Sequence, residues 1–294
     1  MRNLVRLICL SGLVFGIAPH LLSQDRAHDL ASKAASQHSA HCPKTGMTLQ
    51  VCHDNFPDGC SASAKPHYDA YLDFLKDQDP GPTAPSTKEL SAAGFPALES
   101  KLPKGLNATN HAIFAKQFAP LGEGNIHTVV AYLYFAEDTS KGTPTVPPNS
   151  ETCNCKLTGP NTFDYHLGLG FDSSLAANAR STHPKPGDAE FSKLEKGSVV
   201  AEMTPYTRHP KWTFARVNAL QGQQVKVVGQ LMADNIHFNT KDDCHLSPRP
   251  DTSSCWRSTV WEIHPITQFY VCKASAACTA ASPASDWTNL DDMP

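Results

Sequence analysis

Phe163-Asp164-Tyr165-His166-Leu167-Gly168-Leu169-Gly170-Phe171 places an apolar side chain at every second position and gives the alternate positions to Asp164, His166 and two glycines. Period-two alternation is the mark of a half-buried strand, with one face on a core and the other turned away from it. The same phase recurs in Val199-Val200-Ala201-Glu202-Met203-Thr204-Pro205 and in Val260-Trp261-Glu262-Ile263-His264-Pro265. Three polar pairs, Asp164 with His166, Glu202 with Thr204 and Glu262 with His264, therefore share the non-core face of three strands. The reading expects them on the outside of the sheet, where solvent or a ligand reaches them. Gly168 and Gly170 strip that face of side chains and leave either a shallow depression or a place where the sheet coils tightly.

The order of elements around this segment sets the fold class. A strand is expected over 126–136, then the strands at 163–171 and 199–204, a helix over 210–220, and strands over 223–232 and 258–271. Pro210 suits the first turn of that helix and Gly222 its end. The order β-β-β-α-β-β is that of an OB-fold-like five-stranded Greek-key barrel, mainly β, in which strand 2 neighbours strand 3 and strand 3 neighbours strand 5. In that order the three polar pairs form one patch on the outer face of strands 2, 3 and 5. Trp212 and Phe214 are expected to plug one end of the barrel, and Tyr132 and Tyr134 to pack.

Composition and targeting signals bound the rest. The chain has 294 residues, 23 prolines, 18% charged residues and a formal net charge of -3. Its basic residues are scattered, so nucleic acid is not an expected partner unless a bound metal reverses the sign of the acidic face. Arg2 and Arg6 precede an apolar run from Leu7 to Leu22, the layout of a signal peptide over 1–23. Leu21 and Ser23 make an imperfect cleavage pattern, which leaves an uncleaved anchor as the alternative. The mature chain carries no expected membrane span and is expected to be secreted or periplasmic. Residues 24–104 read as a Cys-rich, partly helical N-terminal region and linker, with a helix at Tyr68–Leu75. The barrel domain is expected over 105–275 and a tail over 276–294, so removal of residues up to about 102 is expected to leave a folded β domain.

Ten cysteines agree with an oxidising compartment. Nine remain after loss of Cys9, so one thiol is left over or pairs between molecules. Spacing favours bridges between Cys244 and Cys255 and between Cys272 and Cys278. Cys153 and Cys155 are too close along an extended chain to join each other. With no repeated C-x-x-C pair, zinc held by these cysteines is disfavoured.

The set Cys153-Asn154-Cys155-Lys156-Leu157-Thr158-Gly159, Asp164-Tyr165-His166, Val200-Ala201-Glu202-Met203-Thr204-Pro205, Val228-Gly229-Gln230-Leu231-Met232 and Trp261-Glu262-Ile263-His264-Pro265-Ile266-Thr267 resembles a group of exported bacterial proteins with an OB-like domain and no settled function. The resemblance spans roughly residues 120–272, and it brings no reaction with it.

The candidate ligand-binding residues are thus Asp164, His166, Glu202, Thr204, Glu262 and His264, with His166, His264, Glu202 and Glu262 as candidate ligands for zinc or another divalent ion. Asp234 and His237 join from the rim. The same groups suit general acid/base work, but no catalytic residue is singled out, since neither a nucleophile elbow nor a phosphate-binding loop is present. Each residue has a plain alternative: Glu262 pairs equally well with Arg257, Arg208 or Lys226. Three readings follow: a binding module for a small ligand, glycan, peptide or metal; a metal-dependent hydrolase of phosphodiesterase or nuclease type on the same face; and a disulfide-stapled structural protein. On the surface reading, replacing His166 and His264 by Gln changes stability by only about 0.5 kcal/mol each.

Overall fold

A computed structural model describes residues 42–43, 45–60, 69–80, 88–138, 150–159, 161–275 and 277–293. The expected signal segment, most of the 79–86 linker and the Pro-rich stretch 142–148 lie outside them. Five strands close a barrel: β1 (Ile126–Asp138), β2 (Tyr165–Gly170), β3 (Ser198–Met203), β4 (Gln224–Ala233) and β5 (Trp261–Cys272). β1 pairs antiparallel with β2 and β4, β2 with β3, and β4 with β5. A parallel pairing of Ala201 with Ile263 joins β3 to β5 and completes the wall. This is the mainly β, five-stranded barrel that the strand order implies, and a short β6 (Trp287–Asn289) extends it beside β5.

The alternation decides which side chains fill the barrel. Leu167 and Leu169 of β2, Ala201 and Met203 of β3, and Ile263 and Phe269 of β5 belong to one apolar core. Their neighbours along each strand point outward, as a period of two requires. Trp212 is buried in the same core, and its indole N–H donates to Asp291 Oδ1 at 2.6 Å. The helix after β3 runs over Phe214–Asn218 and so starts later than Pro210, because Thr213 caps it.

Seven helices surround the strands among the described residues: α1 (Leu49–Asn55), α2 (Ala70–Lys76), α3 (Gly94–Glu99), α4 (His111–Phe118), α5 (Ser173–Thr182), α6 (Ala189–Lys196) and α7 (Phe214–Asn218). α5 and α6 occupy a stretch that the sequence reading leaves as loop. Asp172 caps α5 by accepting from the N–H groups of Ser174 and Leu175, and Phe191 and Leu194 of α6 pack with Tyr134 and Phe135 of β1 outside the barrel. The same two rings explain the glycines of β2. A Cβ at Gly168 would overlap the Phe135 ring and one at Gly170 the Tyr134 ring. The expected depression is therefore filled by the protein's own aromatic side chains.

The N-terminal region is stitched to the barrel. Cys52 is bonded to Cys155, just ahead of β2, and Cys42 to Cys60; Cys244–Cys255 and Cys272–Cys278 close two later loops. Leu72 and Leu75 of α2 pack against Met232 of β4, and Gln230 Nε2 donates to the Leu75 carbonyl at 2.8 Å. Asp69 caps α2 and also accepts from the backbone N–H of His111 at 3.0 Å. Leu72 is fully buried, so Leu72→Ala is expected to cost about 2–5 kcal/mol, as other core leucines do. Urea unfolding followed by barrel tryptophan fluorescence measures it. An unchanged barrel transition would show that α2 is not part of the cooperative unit.

Candidate functional site: a covered ionic patch

The strand registers bring the predicted residues together. His166 of β2 stands directly opposite Glu202 of β3, and the Ala201–Ile263 pairing brings Glu202 beside Glu262 and His264 of β5. All point away from the barrel core, as the alternation requires, but they do not face open water. Asp164, Glu202, Thr204, Glu262 and His264 are buried, and only the His166 side chain keeps 21% of its surface exposed. The cover comes from α2 and from the turn at 151–157. This corrects the expectation of a solvent-facing patch: period-two patterning says which way a side chain leaves the barrel, and not what lies over it.

Within the patch, acids and bases alternate. His264 Nδ1 lies 3.2 Å from Glu202 Oε2 and 3.3 Å from Glu262 Oε1, while Nε2 is 2.8 Å from Thr204 Oγ1. His166 Nε2 is 3.4 Å from both Glu202 Oε2 and Glu151 Oε1. Glu262 Oε2 accepts from Arg257 Nη2 at 2.7 Å, and Arg257 Nη1 reaches Asp234 Oδ2 at 3.2 Å. His237 Nδ1 is 2.6 Å from the same Asp234 oxygen. Lys76, at the end of α2 and itself buried, donates to Glu151 Oε2 at 2.7 Å and stands 3.9 Å from Asp234. Glu262 thus takes the Arg257 partner that the sequence offered as its plain alternative.

Charge sharing sets the protonation states. Burial alone would lower His264, but Glu202 and Glu262 beside it outweigh burial and hold its pKa above the ordinary value. His166 is raised further, because Glu202 and Glu151 overcome the same penalty. Burial would raise Glu202, yet His166, His264 and Lys76 bring it down to about 2. Glu151 and Asp234 are likewise held well below the usual carboxylate range, against burial, chiefly by Lys76 for the first and by His237 and Lys76 for the second. Asp164 goes the other way, to about 6, through burial and the charges of Glu151 and Glu202. A second buried network props up the cover. His111 lies between Glu123 Oε1, 2.9 Å from Nε2, and Asn235 Oδ1, 2.8 Å from Nδ1; Asn235 Nδ2 donates to Asp69 and to the Asn107 carbonyl.

Two groups drawn from the patch have the composition and spacing of a cation site. Glu151, His166 and Glu202 each bring one ligand atom within 4.8 Å of the others, and so do Asp164, Glu202 and His264. Of the four predicted metal ligands, His166, His264 and Glu202 fall in these groups. Glu262 does not, because Arg257 holds its carboxylate. Glu151 carries no periodic signal and was not expected. Lys76 was legible in principle, since it follows Leu72 by four residues and so shares the buried stripe of α2. Elsewhere, a hollow lined by Tyr134, Phe171, Asp172, Ser173, Leu175 and Gly197 opens at the other end of β2. Its polar groups are already used, Asp172 as the α5 cap and the Tyr134 hydroxyl in bonds to the Asp172 backbone. No family model, curated protein or solved structure matches the chain.

The pH dependence has a definite sign. The raised histidines contribute stability that is fully present below their unfolded pKa near 6.5 and is lost as pH rises through their folded values. The depressed carboxylates contribute stability present above their ordinary values and lost as pH falls through the folded ones, about 2 for Glu202. Stability should therefore peak between these limits. Because His264 is buried and charged, His264→Gln is expected to cost about 3–5 kcal/mol near pH 6, not the small value of a surface change. The loss should be smaller at an alkaline pH above the raised folded value, where the wild-type imidazole has lost its proton. Equal losses from urea unfolding at the two pH values would contradict the charged state.

Proposed function

We propose that the protein is an exported binding module whose outer β2–β3–β5 face holds a divalent cation at its open edge, between Glu151, His166 and Glu202. The observation that carries this reading is the convergence of one imidazole and two carboxylates within 4.8 Å at the part of the patch where His166 and Glu151 keep contact with solvent. Mixed nitrogen and oxygen donors suit zinc and its first-row neighbours better than calcium or magnesium. Four disulfides favour an oxidising compartment, in line with the signal-like layout of residues 1–23. Among the described residues, no helix is long and apolar enough to cross a membrane. A cation at this edge would add positive charge where the patch meets solvent and give a small anionic ligand, glycan or peptide a point of attachment.

A hydrolase on the same face would need a substrate to reach the ion and a water beside it. The burial of His264, Glu202 and Asp164 supports holding an ion over turning over a large substrate, so the binding module is the better reading. Loading requires His166 to give up its proton, and metal uptake should release protons. Calorimetric titration of the metal-free mature protein with Zn(II), repeated in buffers of different ionisation heat, is expected to show saturable binding with proton release. His166→Gln should weaken it by about tenfold or more. A silent wild-type titration would overturn the proposal.

A further inference from the structure

Cys153 is the free cysteine among the described residues; the other described cysteines, Cys42, Cys52, Cys60, Cys155, Cys244, Cys255, Cys272 and Cys278, are all bridged. Its surroundings are unlike those of a cysteine acting as a small hydrophobe, the usual role of a buried thiol. Its Sγ lies 3.8 Å from Glu151 Oε2, and one ligand atom each of Cys153, Glu151 and Asp164 lie within 4.8 Å of one another. We propose that these three residues form a second cation position, joined to the first through Glu151 and taking a thiolate-preferring metal such as zinc. The inference rests on the cation-binding reading of this face.

Three features of the structure support a built site. The turn that presents Cys153 is fixed on both sides: Cys155 and Lys156 adopt left-handed backbone angles, φ 53° and 55°, and Cys155 is bonded to Cys52. Asp164 is oriented by Asn154, whose Nδ2 donates to Oδ2 at 2.6 Å. Buried oxygens nearby make no hydrogen bond. These are Asp73 Oδ2 and Asp77 Oδ2; Glu202 Oε2 is met instead by its ion pairs with His264 Nδ1 and His166 Nε2 at 3.2 and 3.4 Å. Buried carboxyls without donors are costly unless a cation or a proton meets them.

Protons fill that role in the metal-free protein. Burial and neighbouring acids raise Asp73 and Asp77, so protons meet their unbonded oxygens. A divalent ion would displace the thiol proton to solvent and coordinate the thiolate, with Glu151 bridging to the first ion as carboxylates do in two-metal centres. Lys76, bonded to Glu151 Oε2, is the competing cation. The soft sulfur selects against calcium and magnesium.

The test is Co(II) titration of the full mature chain purified free of metal, followed by absorption. The expected result is uptake of two equivalents with a near-ultraviolet thiolate-to-Co(II) charge-transfer band, and in Cys153→Ser the loss of that band and of one equivalent. If the serine variant does not fold, the wild-type band decides, and Asp164→Asn should take up one equivalent fewer. Wild-type binding without the band, at any stoichiometry, overturns the thiolate site and leaves the Glu151–His166–Glu202 reading standing. No Co(II) uptake at all overturns both.

Discussion

Burial of three carboxylates against the outer wall of the barrel, Glu202, Asp234 and Glu262, with the part-exposed Glu151 over them, is the constraint on which the rest of this structure depends. An ion taken out of water loses several kcal/mol of solvation, which is recovered only if partners of opposite sign are placed with good geometry. Here the partners are Arg257, Lys76, His166 and His264. Arg257 comes from the segment between β4 and β5, His166 from β2, His264 from β5 and Lys76 from the N-terminal region. The network therefore joins parts of the chain that are far apart in sequence.

That dependence explains why the N-terminal region is held so firmly. α2 brings Lys76 over the patch, and the leucines of its buried stripe place it against β4. The Cys52–Cys155 bridge fixes the turn that carries Glu151, the partner of Lys76. The His111 network holds the start of α2 through Asp69. Withdrawal of the cover would leave Glu151 and Asp234 short of a cation and return the patch to water.

The strand phase made much of this legible. It put Asp164, His166, Glu202, Thr204, Glu262 and His264 on one outer face, and the element order put β2, β3 and β5 side by side. What was not legible was the cover. Alternation reports on the strand itself, whereas α2 is separated from β2 by nearly ninety residues and its docking depends on packing and on a disulfide whose partners spacing alone does not pair. α5 and α6 were missed because their apolar positions are few and fall on the flank of β1, not on the core. Glu151 lies in an irregular turn where no periodicity exists. The glycines of β2 read as a shallow depression or a place of tight coiling, whereas the rings of Phe135 and Tyr134 fill the space beside them.

The network is balanced by protons on two histidines, and a proton is the least specific of the cations that could stand there. The central claim is that the open edge of this network is a cation site. Anomalous diffraction at the zinc absorption edge, from crystals of the protein grown with Zn(II), tests it most directly. The account predicts an anomalous peak between Glu151, His166 and Glu202, with His166 turned from ion pairing to ligation. A map without a peak at that position, His166 still paired with Glu202, would contradict it.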